Sequence, residues 1–295
     1  MSLNPIGIDV YHGDGTVDWR AVAGAGWAFA LAKSSEGMTV TDSAFAANWA
    51  GMKAAKLLRG AYHFGRPDRG SDGRVETNAT AQAERFFGLV GALGYGDLPP
   101  VLDLETAPTS LTPTDVVNWT RAFLVRAKAL FQRTPILYVG KYWRTDLGDP
   151  VFPEAAECPL WTARYSAEEP ILPRQWSRWT IWQYSDGTDG PATVPVPGLS
   201  SPPDQNIFNG TLDDLRELAG IPRWPGRSFV YPQTPMLSGD DVRRWQARMV
   251  ELKYTISVDG YYGRQSQSVC KQLQTSKALT VDGVVGPKTW AASFF

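Results

Sequence analysis

The pattern of hydrophobic and polar positions divides the chain into a long first part and a short last part. Up to residue 220, short apolar segments that predict strands alternate with amphipathic segments that predict helices. Eight segments have the length and residue types of strands: 6–10, 28–33, 60–64, 100–105, 135–139, 160–165, 179–184 and 205–208. The clearest helical patterns are 44–55, 79–90 and 113–130.

The order of these segments predicts the fold of the first part. Each of the first five strands leaves room for a following helix, whereas the last three strands follow one another with little room for helices. Alternating strands and helices favour a parallel sheet covered by helices, and eight such strands favour a closed barrel. We therefore predict an α/β fold for residues 1–220, an irregular TIM-like (β/α)5β3 barrel.

A proline-rich segment separates this barrel from the last part of the chain. Residues 221–235 contain four prolines, which interrupt helical and strand periodicity, and this composition predicts a semi-rigid linker. Beyond it, Val-Asp-Gly-Tyr-Tyr-Gly at 258–263 recurs as Val-Asp-Gly-Val-Val-Gly at 281–286. Each copy precedes a helical pattern, and an amphipathic segment covers 240–252, so residues 236–295 are predicted to form a small three-helix module.

Charge and hydropathy disfavour several classes of partner. The net charge is −1, but residues 1–220 carry 19 basic and 25 acidic side chains, so the barrel is acidic and the tail mildly basic. Nucleic-acid binding favours a concentrated basic face, and we expect no nucleic-acid partner. Apolar stretches fall short of the roughly 20 residues that span a bilayer, and the first residues lack a basic start and an apolar core. We expect neither a membrane span nor a signal peptide.

The few cysteines and histidines bear on metals and cofactors. Cys158 and Cys270 lie in different predicted domains, and we interpret both as reduced core residues. The histidines are His12 and His63, too few for a typical histidine-rich zinc site. We expect no metal, no cofactor and a monomeric protein.

The segment 98–105, Leu-Pro-Pro-Val-Leu-Asp-Leu-Glu, carries two carboxylates at the end of a predicted strand. Alternate residues of a strand point to the same face, so Asp103 and Glu105 are expected side by side. Prolines before and after the strand place the pair at its carboxyl end, where barrel enzymes have their active sites. Like charges at this spacing raise the proton affinity of one carboxyl, as a general acid requires.

Two further carboxylates lie at predicted strand ends. Asp9 lies in Ile-Asp-Val at the end of the first strand, and Asp204 begins the last one. An isolated Asp-x-Glu pair is more often a surface feature of an edge strand. Four acids at strand ends instead predict convergence on one rim of the barrel.

The order and spacing of several motifs resemble a known family. Residues 6–219 look like a glycoside hydrolase family 25 muramidase, the Chalaropsis-type lysozymes of bacteria, fungi and phages. The motifs are Gly-Ile-Asp-Val at 7–10, Lys-Ser-Ser-Glu-Gly at 33–37, Arg-Gly-Ala-Tyr-His-Phe at 59–64, the acidic strand at 98–105, Pro-Leu-Trp-Thr-Ala-Arg-Tyr at 159–165, Trp-Gln-Tyr at 182–184 and Asp-Gln-Asn-Ile-Phe at 204–208. The tail, 236–295, resembles the helical peptidoglycan-binding domain with Asp-Gly-x-x-Gly repeats.

The resemblance implies an activity and a set of roles. It implies hydrolysis of the β-1,4 bond between N-acetylmuramic acid and N-acetylglucosamine in bacterial peptidoglycan, the expected partner. Glu105 would be the general acid, Asp103 would orient the acetamido group of the substrate, and Asp9 and Asp204 would shape the charge of the cleft. A retaining, substrate-assisted reaction is expected. The chain departs from the usual pattern at Tyr11, where serine is common, and at Pro203, which replaces the usual apolar residue before Asp204.

Other side chains near strand ends are candidates for contacts with sugar. Aromatic rings stack on the C–H faces of sugars, and core packing is the alternative for each ring. The candidates are Tyr62, Tyr138, Trp161, Tyr165 and Trp182, together with Lys33, which could instead pair with a cleft carboxylate. His63 has the opposite strand parity from Tyr62, and we interpret it as a hydrogen-bonded core residue.

Three other functions stay open on the sequence alone. The barrel could bind sugar without cutting it, it could cut a neutral polymer as a chitinase does, or the chain could be a zinc amidase, which the two histidines disfavour. The presence of all four carboxylates favours a hydrolase. The expected lack of a signal peptide favours a phage endolysin that waits in the host cytoplasm, and an autolysin of a bacterium, exported by another route, is the alternative.

Overall fold

The computed structural model describes residues 4–191 and 195–295, and the chain divides into two compact units, Met1–Gly220 and Ile221–Phe295. The strands of the first unit are β1 Ile6–Val10, β2 Phe29–Glu36, β3 Val40–Thr41, β4 Leu58–Phe64, β5 Val101–Leu104, β6 Ile136–Val139, β7 Leu160–Ala163, β8 Ile181–Ser185 and β9 Asp204–Phe208. Its helices are α1 Trp19–Gly24, α2 Phe45–Ala54, α3 Val75–Val90, α4 Pro113–Phe131, α5 Lys141–Thr145, α6 Pro153–Ala156 and α7 Leu212–Leu218.

Eight of these strands close into a barrel in the order β1, β2, β4, β5, β6, β7, β8, β9 and back to β1. The short strand β3 pairs with β2 outside this ring. Neighbours are parallel except at β9, which runs antiparallel to both β8 and β1. Helices follow the first five ring strands, and none of the described residues between β7 and β9 forms a helix. The predicted (β/α)5β3 barrel is therefore confirmed, with a reversed last strand that the prediction did not include.

The main hydrophobic core lies between the barrel and the helices that cover it. Outward-facing strand residues such as Ile8 and Leu102 are fully buried in one cluster with Phe86 of α3 and Trp119 of α4. His63 belongs to this outer layer, as its strand parity predicts, and its ring stacks on Phe123 of α4 at 5.4 Å. Inward-facing residues of the same strands are left to line the barrel interior and its open end.

Helix α4 shows how local sequence fixes the frame around the predicted acids. Thr112 accepts a hydrogen bond from the backbone N–H of Asp115, and the Asp115 carboxylate accepts one from the backbone N–H of Thr112. Pro113 occupies the first helical position, where a missing N–H costs nothing. This capping box begins the helix shortly after β5 and fixes the loop that follows Glu105.

The second unit contains the three predicted helices, α8 Asp240–Glu251, α9 Arg264–Ser276 and α10 Pro287–Phe294. The sequence repeat forms two equivalent loops, each held by a buried glutamine of the preceding helix. Gln246 donates from Nε2 to Asp259 at 2.8 Å and accepts from the Gly260 N–H at 2.7 Å. In the second copy the corresponding residues are Gln274, Asp282 and Gly283. Each Asp-Gly turn is therefore locked to its own helix.

The proline-rich segment predicted as a linker packs within the second unit. Phe229 is fully buried and pairs its backbone with Val285, and its ring packs against Trp290 at 6.0 Å. Trp224 also packs on Trp290, whose indole N–H donates to the backbone oxygen of Pro222. The segment 221–235 thus completes a small core instead of separating two folded parts. Its aromatic residues override the linker character of its prolines.

Two further findings concern the whole described chain. In residues 4–191 and 195–295, no helix is both long enough and apolar enough to cross a membrane. Cys158 and Cys270 are both buried and free, as predicted.

Candidate active site

A pocket of about 220 Å³ opens at the end of the barrel where the parallel strands finish. It brings together all four predicted carboxylates and five of the six predicted sugar-contact residues. Its lining residues are Asp9, Tyr11, Lys33, Tyr62, Phe64, Asp103, Glu105, Tyr138, Trp161, Tyr165, Gln183 and Asp204.

The reversed direction of β9 explains how Asp204 reaches this rim. The first residue of an antiparallel strand lies beside the last residues of its neighbours. Asp204 therefore lies directly opposite Asp9 in the pairing of β9 with β1. On the other side of the pocket, Asp103 of β5 lies between Phe64 of β4 and Tyr138 of β6. The barrel thus presents two pairs of carboxyls, Asp9 with Asp204 and Asp103 with Glu105.

In the second pair, one carboxyl is buried and the other reaches solvent. Asp103 is 6% exposed, whereas Glu105 is exposed at the mouth of the pocket. Burial, followed by the negative charge of Glu105, holds the pKa of Asp103 well above its usual range. The pKa of Glu105 is also raised by burial of its carboxyl, although a hydrogen bond from Asp103 and the charges of Lys33 and Arg66 lower it. Two adjoining carboxyls of this kind share one proton.

The Oδ1 atom of Asp103 has a second notable property. It is buried and has no hydrogen-bond partner among the described residues. A buried carboxyl oxygen without a donor is costly, and such atoms are uncommon in folded proteins. Asp103 lines the pocket, so its carboxyl borders the space in which a ligand would bind.

Asp9 is held by two side-chain amides. Asn206 donates from Nδ2 to Asp9 Oδ1 at 2.7 Å, and Gln183 donates from Nε2 to both Asp9 oxygens at 3.1 and 3.2 Å. The indole N–H of Trp161 donates to Oδ1 of Asn206 at 2.8 Å. An indole nitrogen can only donate, so it fixes the Asn206 amide with its NH2 group toward Asp9. Asp9 therefore acts as the acceptor, which favours its ionised form.

Gln183 joins the acidic pair to two tyrosines. Its Nε2 also donates to Asp204 at 3.0 Å, while its Oε1 accepts from the hydroxyls of Tyr138 at 3.0 Å and Tyr165 at 3.2 Å. Burial raises the pKa of Asp9 to about 6, against the lowering effect of the two amides. Burial and the charge of Asp9 raise the pKa of Asp204 to about 9. At neutral pH Asp9 carries the charge and Asp204 the proton.

Lys33 pairs with a carboxylate that the sequence analysis did not single out. Its Nζ lies 2.6 Å from Oε2 of Glu36, and Arg66 binds the other oxygen of Glu36 at 2.7 Å. Both cations also lie over the ring of Phe64. Lys33 therefore forms its ion pair with Glu36, and its positive charge lowers the pKa values of Asp103 and Glu105 without a direct bond.

The predicted aromatic contacts divide into three groups. Tyr62 and Tyr138 are buried against Trp161 with edge-to-face geometry at 6.2 and 4.7 Å, so these three rings form the floor of the pocket. Tyr165 is 41% exposed at the mouth. Trp182 is the exception, because it faces away from the pocket into the core between barrel and helices.

The prediction for Trp182 is corrected by the parity of its strand. Its indole N–H donates to the backbone oxygen of Arg164 at 2.9 Å, and its ring packs on Trp179 at 5.8 Å. The next residue, Gln183, is the one that faces the pocket. Neighbouring residues of a strand point to opposite faces, so only one of them can reach the site.

Sequence reasoning also missed Gln183, Asn206, Glu36 and Arg66 as parts of the site. Gln183 and Asn206 each lie within a motif that carried the family resemblance, and each is a buried side-chain amide within a barrel strand. A buried amide needs partners, and that requirement was the available signal. Among the described residues, no cluster of three or more histidine, cysteine, aspartate or glutamate side chains is arranged to hold a metal ion.

Comparison with known proteins agrees with this geometry. Residues 8–191 match the model of Glycosyl hydrolases family 25, and residues 238–292 match a peptidoglycan binding domain. The chain is 36% identical over 220 residues to Lysozyme M1 of Streptomyces globisporus, covering 72% of this chain and 70% of that protein. It is 29% identical over 225 residues to an N,O-diacetylmuramidase of Chalaropsis sp, covering 72% of this chain and 98% of that protein.

A solved structure shares the barrel. The bacterial lysozyme from Streptomyces coelicolor is 35% identical, with a TM-score of 0.65 over 73% of this chain and 97% of that one. The first family match covers more than half of the residues, and it includes three of the four pocket carboxyls. The chain therefore belongs to glycosyl hydrolases family 25 and is a glycosidase with an additional peptidoglycan-binding domain.

Proposed function

We propose that this glycosidase is a muramidase that cleaves the β-1,4 bond between N-acetylmuramic acid and N-acetylglucosamine within peptidoglycan strands. The names of its relatives, a lysozyme and an N,O-diacetylmuramidase, support this substrate. The match of residues 238–292 to a peptidoglycan binding domain supports the same polymer independently. The observation that carries the mechanism is the pair of carboxyls, Asp103 and Glu105, which both line the pocket and whose pKa values are both raised by burial.

Glu105 is the general acid in this proposal. Its carboxyl is the exposed member of the pair, so it can approach the glycosidic oxygen of a bound strand. In the free enzyme the shared proton lies on Asp103, whose pKa is well above its usual range and which donates a hydrogen bond to Glu105. A substrate N–H that binds Asp103 favours the Asp103 anion, so the shared proton moves to Glu105, which then serves as the acid. In the first step the proton passes from Glu105 to the leaving oxygen as the C1–O bond breaks, and Glu105 becomes an anion.

Asp103 is the partner that prepares the substrate. Its unpaired Oδ1 accepts the N–H of the 2-acetamido group of the sugar in the pocket. This contact turns the acetamido oxygen toward C1, where it forms the new C–O bond of a cyclic oxazolinium intermediate. The Glu105 anion then takes a proton from water, and the water oxygen opens the ring from the original face. Two inversions leave the anomeric configuration retained, in a substrate-assisted reaction.

Asp9 supplies fixed negative charge and is a poor nucleophile. Both of its oxygens accept hydrogen bonds from Gln183, and one also accepts from Asn206. Its anion stabilises the positive charge that develops at C1 in the transition state. Asp204, which holds its proton, is a hydrogen-bond donor at the edge of the same pocket.

The test is product analysis on purified wall with the wild type and three variants. Glu105→Gln keeps the shape of the side chain and cannot donate a proton, so we expect activity to fall about 100- to 10,000-fold. Asp103→Asn should be severely impaired as well. Glu84→Gln, in an exposed glutamate of α3 that pairs with Arg126, is the matched control and should keep wild-type activity. Near-normal turnover by Glu105→Gln would overturn the assignment of the acid.

The products distinguish the alternatives. New reducing ends on muramic acid support the muramidase, new free amines would indicate an amidase, and no product would indicate a binding protein. NMR of the first-formed anomer tests the mechanism separately. An initially inverted product would show that a carboxylate-activated water attacks instead, while the substrate assignment would stand.

A further inference from the structure

The exposed aromatic side chains of the barrel are concentrated at one place. Among the described residues of the first unit, the large aromatic side chains that are clearly exposed are Tyr11, at 44%, and Tyr165, at 41%. Both line the pocket that holds the four carboxyls. Other aromatic rings of the barrel are buried or half-buried, so exposure of these two is a property of the pocket mouth.

The backbone around Tyr11 is fixed by a short 3-10 turn, residues His12–Asp14, that follows β1. The Asp14 carboxylate accepts the backbone N–H of Tyr11 at 2.8 Å, and the Asp14 N–H donates to the Tyr11 carbonyl at 3.1 Å. His12 is anchored to the buried Asp42, with Nδ1 and the backbone N–H at 2.8 and 3.0 Å from the same carboxylate oxygen. The turn is therefore held at both of its ends.

The ring of Tyr11 is seated against this turn. The His12 ring meets it edge to face at 5.1 Å. The phenol end lies so close to the Cα atom of Gly13 that a Cβ atom added there would be 2.3 Å from Cζ of Tyr11. The absence of a side chain at position 13 is thus what allows the ring to lie where it does. An exposed ring that is already immobilised loses little entropy when a ligand covers it.

Tyr11 and Glu105 lie on different walls of the same pocket. Tyr11 follows β1 and Glu105 follows β5, three strands away in one direction around the ring and five in the other. A glycan strand with its scissile oxygen at Glu105 must continue over one of the remaining walls. The wall at the end of β1 offers the ring of Tyr11, which lines the same pocket as Asp9.

We propose that Tyr11 is a sugar-binding platform, on which a pyranose ring next to the cleaved bond stacks its C–H face. The inference rests on the proposed action on a glycan and adds a subsite to it. Pyranose rings have an apolar face of axial hydrogens, and the face of an immobilised phenol ring matches it. The platform contributes to substrate affinity and leaves the proton transfer to Glu105.

Two substitutions remove the platform by different routes. Tyr11→Ser deletes the ring. Gly13→Ala leaves Tyr11 in place and pushes its ring off the turn, and the backbone at Gly13 is outside the left-handed region, so alanine is compatible with it. Tyr11→Phe keeps the ring and tests for rescue. Val125→Ser, in an exposed residue on the outside of α4, controls for surface substitution.

The assay is steady-state release of reducing ends by the full chain from soluble glycan strands. We expect Tyr11→Ser and Gly13→Ala to raise KM about 3- to 10-fold, the factor that corresponds to a lost aromatic contact, with kcat within about twofold of wild type. Tyr11→Phe should return KM to within about twofold of wild type, and the melting temperatures should show that each variant is folded.

Several results would overturn the platform. An unchanged KM in both Tyr11→Ser and Gly13→Ala would show that no sugar contacts the ring. A Tyr11→Phe variant as impaired as Tyr11→Ser would assign the effect to the hydroxyl, and a fall in kcat at constant KM would place Tyr11 in the chemistry. A wild-type chain that releases no reducing ends would refute the proposed function, which is a separate outcome from any of these.

Discussion

Replacement of Gln183 by methionine tests whether Asp9 is ionised in the folded barrel at neutral pH. Methionine has a similar length and no hydrogen-bonding amide. The substitution removes one of the two amides that hold Asp9, and it removes the acceptor of the buried Tyr138 hydroxyl. Tyr165 is exposed enough for water to replace its bond. Asn206 still donates to Asp9 in the variant.

The cost of this change depends on pH. Burial raises the pKa of Asp9 to about 6, above an ordinary value near 3.8. At about pH 4.5 Asp9 is mostly neutral, and Gln183→Met leaves the Tyr138 hydroxyl unpaired at a cost of about 1–3 kcal/mol. At about pH 7.5 Asp9 is ionised, and the lost charge-assisted bond adds about 1.5–3 kcal/mol. Asp204, with a pKa of about 9, is neutral at both values and contributes equally.

The additional loss of unfolding free energy that Gln183→Met suffers at the higher pH has an upper limit. Asp9 can take up a proton instead, which costs about 1.4 kcal/mol for each of the roughly 1.5 pH units above its pKa, or about 2 kcal/mol. Linkage gives the direction of the effect. A carboxyl whose pKa is raised in the folded state adds least to the free energy of unfolding once the pH has risen above that pKa. We therefore expect the loss of unfolding free energy to be about 1.5–2 kcal/mol larger at pH 7.5 than at pH 4.5.

Urea unfolding of the full chain at the two pH values, followed by tryptophan fluorescence, measures this difference. Gln82→Met is the matched control. Gln82 is also a buried glutamine of the barrel, and its side chain bonds to His63, whose burial lowers its pKa to about 4. His63 is therefore mostly neutral at both pH values, and the control should lose nearly the same free energy at each. If Gln183→Met lost the same unfolding free energy at both pH values, the proposed negative charge on Asp9 would be refuted.

Two predictions concern the division of the chain. Residues 1–220 alone should fold and cleave soluble wall fragments. Compared with the full chain, they should lose much more activity on whole walls than on fragments, because tethering to the wall raises the local enzyme concentration. Undiminished lysis of whole walls in a turbidity assay would contradict this. Residues 221–295 should fold and bind insoluble wall in a pull-down, whereas residues 236–295 should be much less stable. Residues 236–295 lack Phe229, and loss of one buried phenylalanine side chain lowers the free energy of unfolding by about 3–5 kcal/mol. Equal thermal stability of the two fragments by circular dichroism would place the proline-rich segment outside the core.

The acids of the site could be located from the sequence because their positions depend on short-range rules. Strand alternation places Asp103 and Glu105 on one face, and the prolines around β5 identify its ends. Asp9 followed from the same rule at the end of β1. The position of Asp204 at this rim depends on the reversed direction of β9, which the sequence analysis did not include. The barrel could be predicted for the same reason, since its strands and long helices have clear periodicity.

The remaining features depend on contacts between distant residues. Strand β8 is apolar on both sides of Gln183, so periodicity does not tell which residue enters the pocket, and Trp182 was assigned to it wrongly. The bonds of Gln183 to Asp9 and Tyr138 join three different strands. Short helices such as α7 have too few residues for a periodic signal. The expected origin in a phage stays a prediction from the sequence.

The direct pairing of Asp9 with Asp204 constrains how relatives of this protein can differ in length. A shift of β9 by one residue against β1 would turn its side chains to the opposite faces of the sheet and move Asp204 out of the pocket. Insertions and deletions within β1 or β9 should therefore be eliminated by selection. The connection between β8 and β9 lies outside this pairing, so loop-length variation among active homologues should accumulate there. Strand β9 therefore fixes the position of Asp204 through its pairing with Asp9 of β1, whatever the length of the connection between β8 and β9.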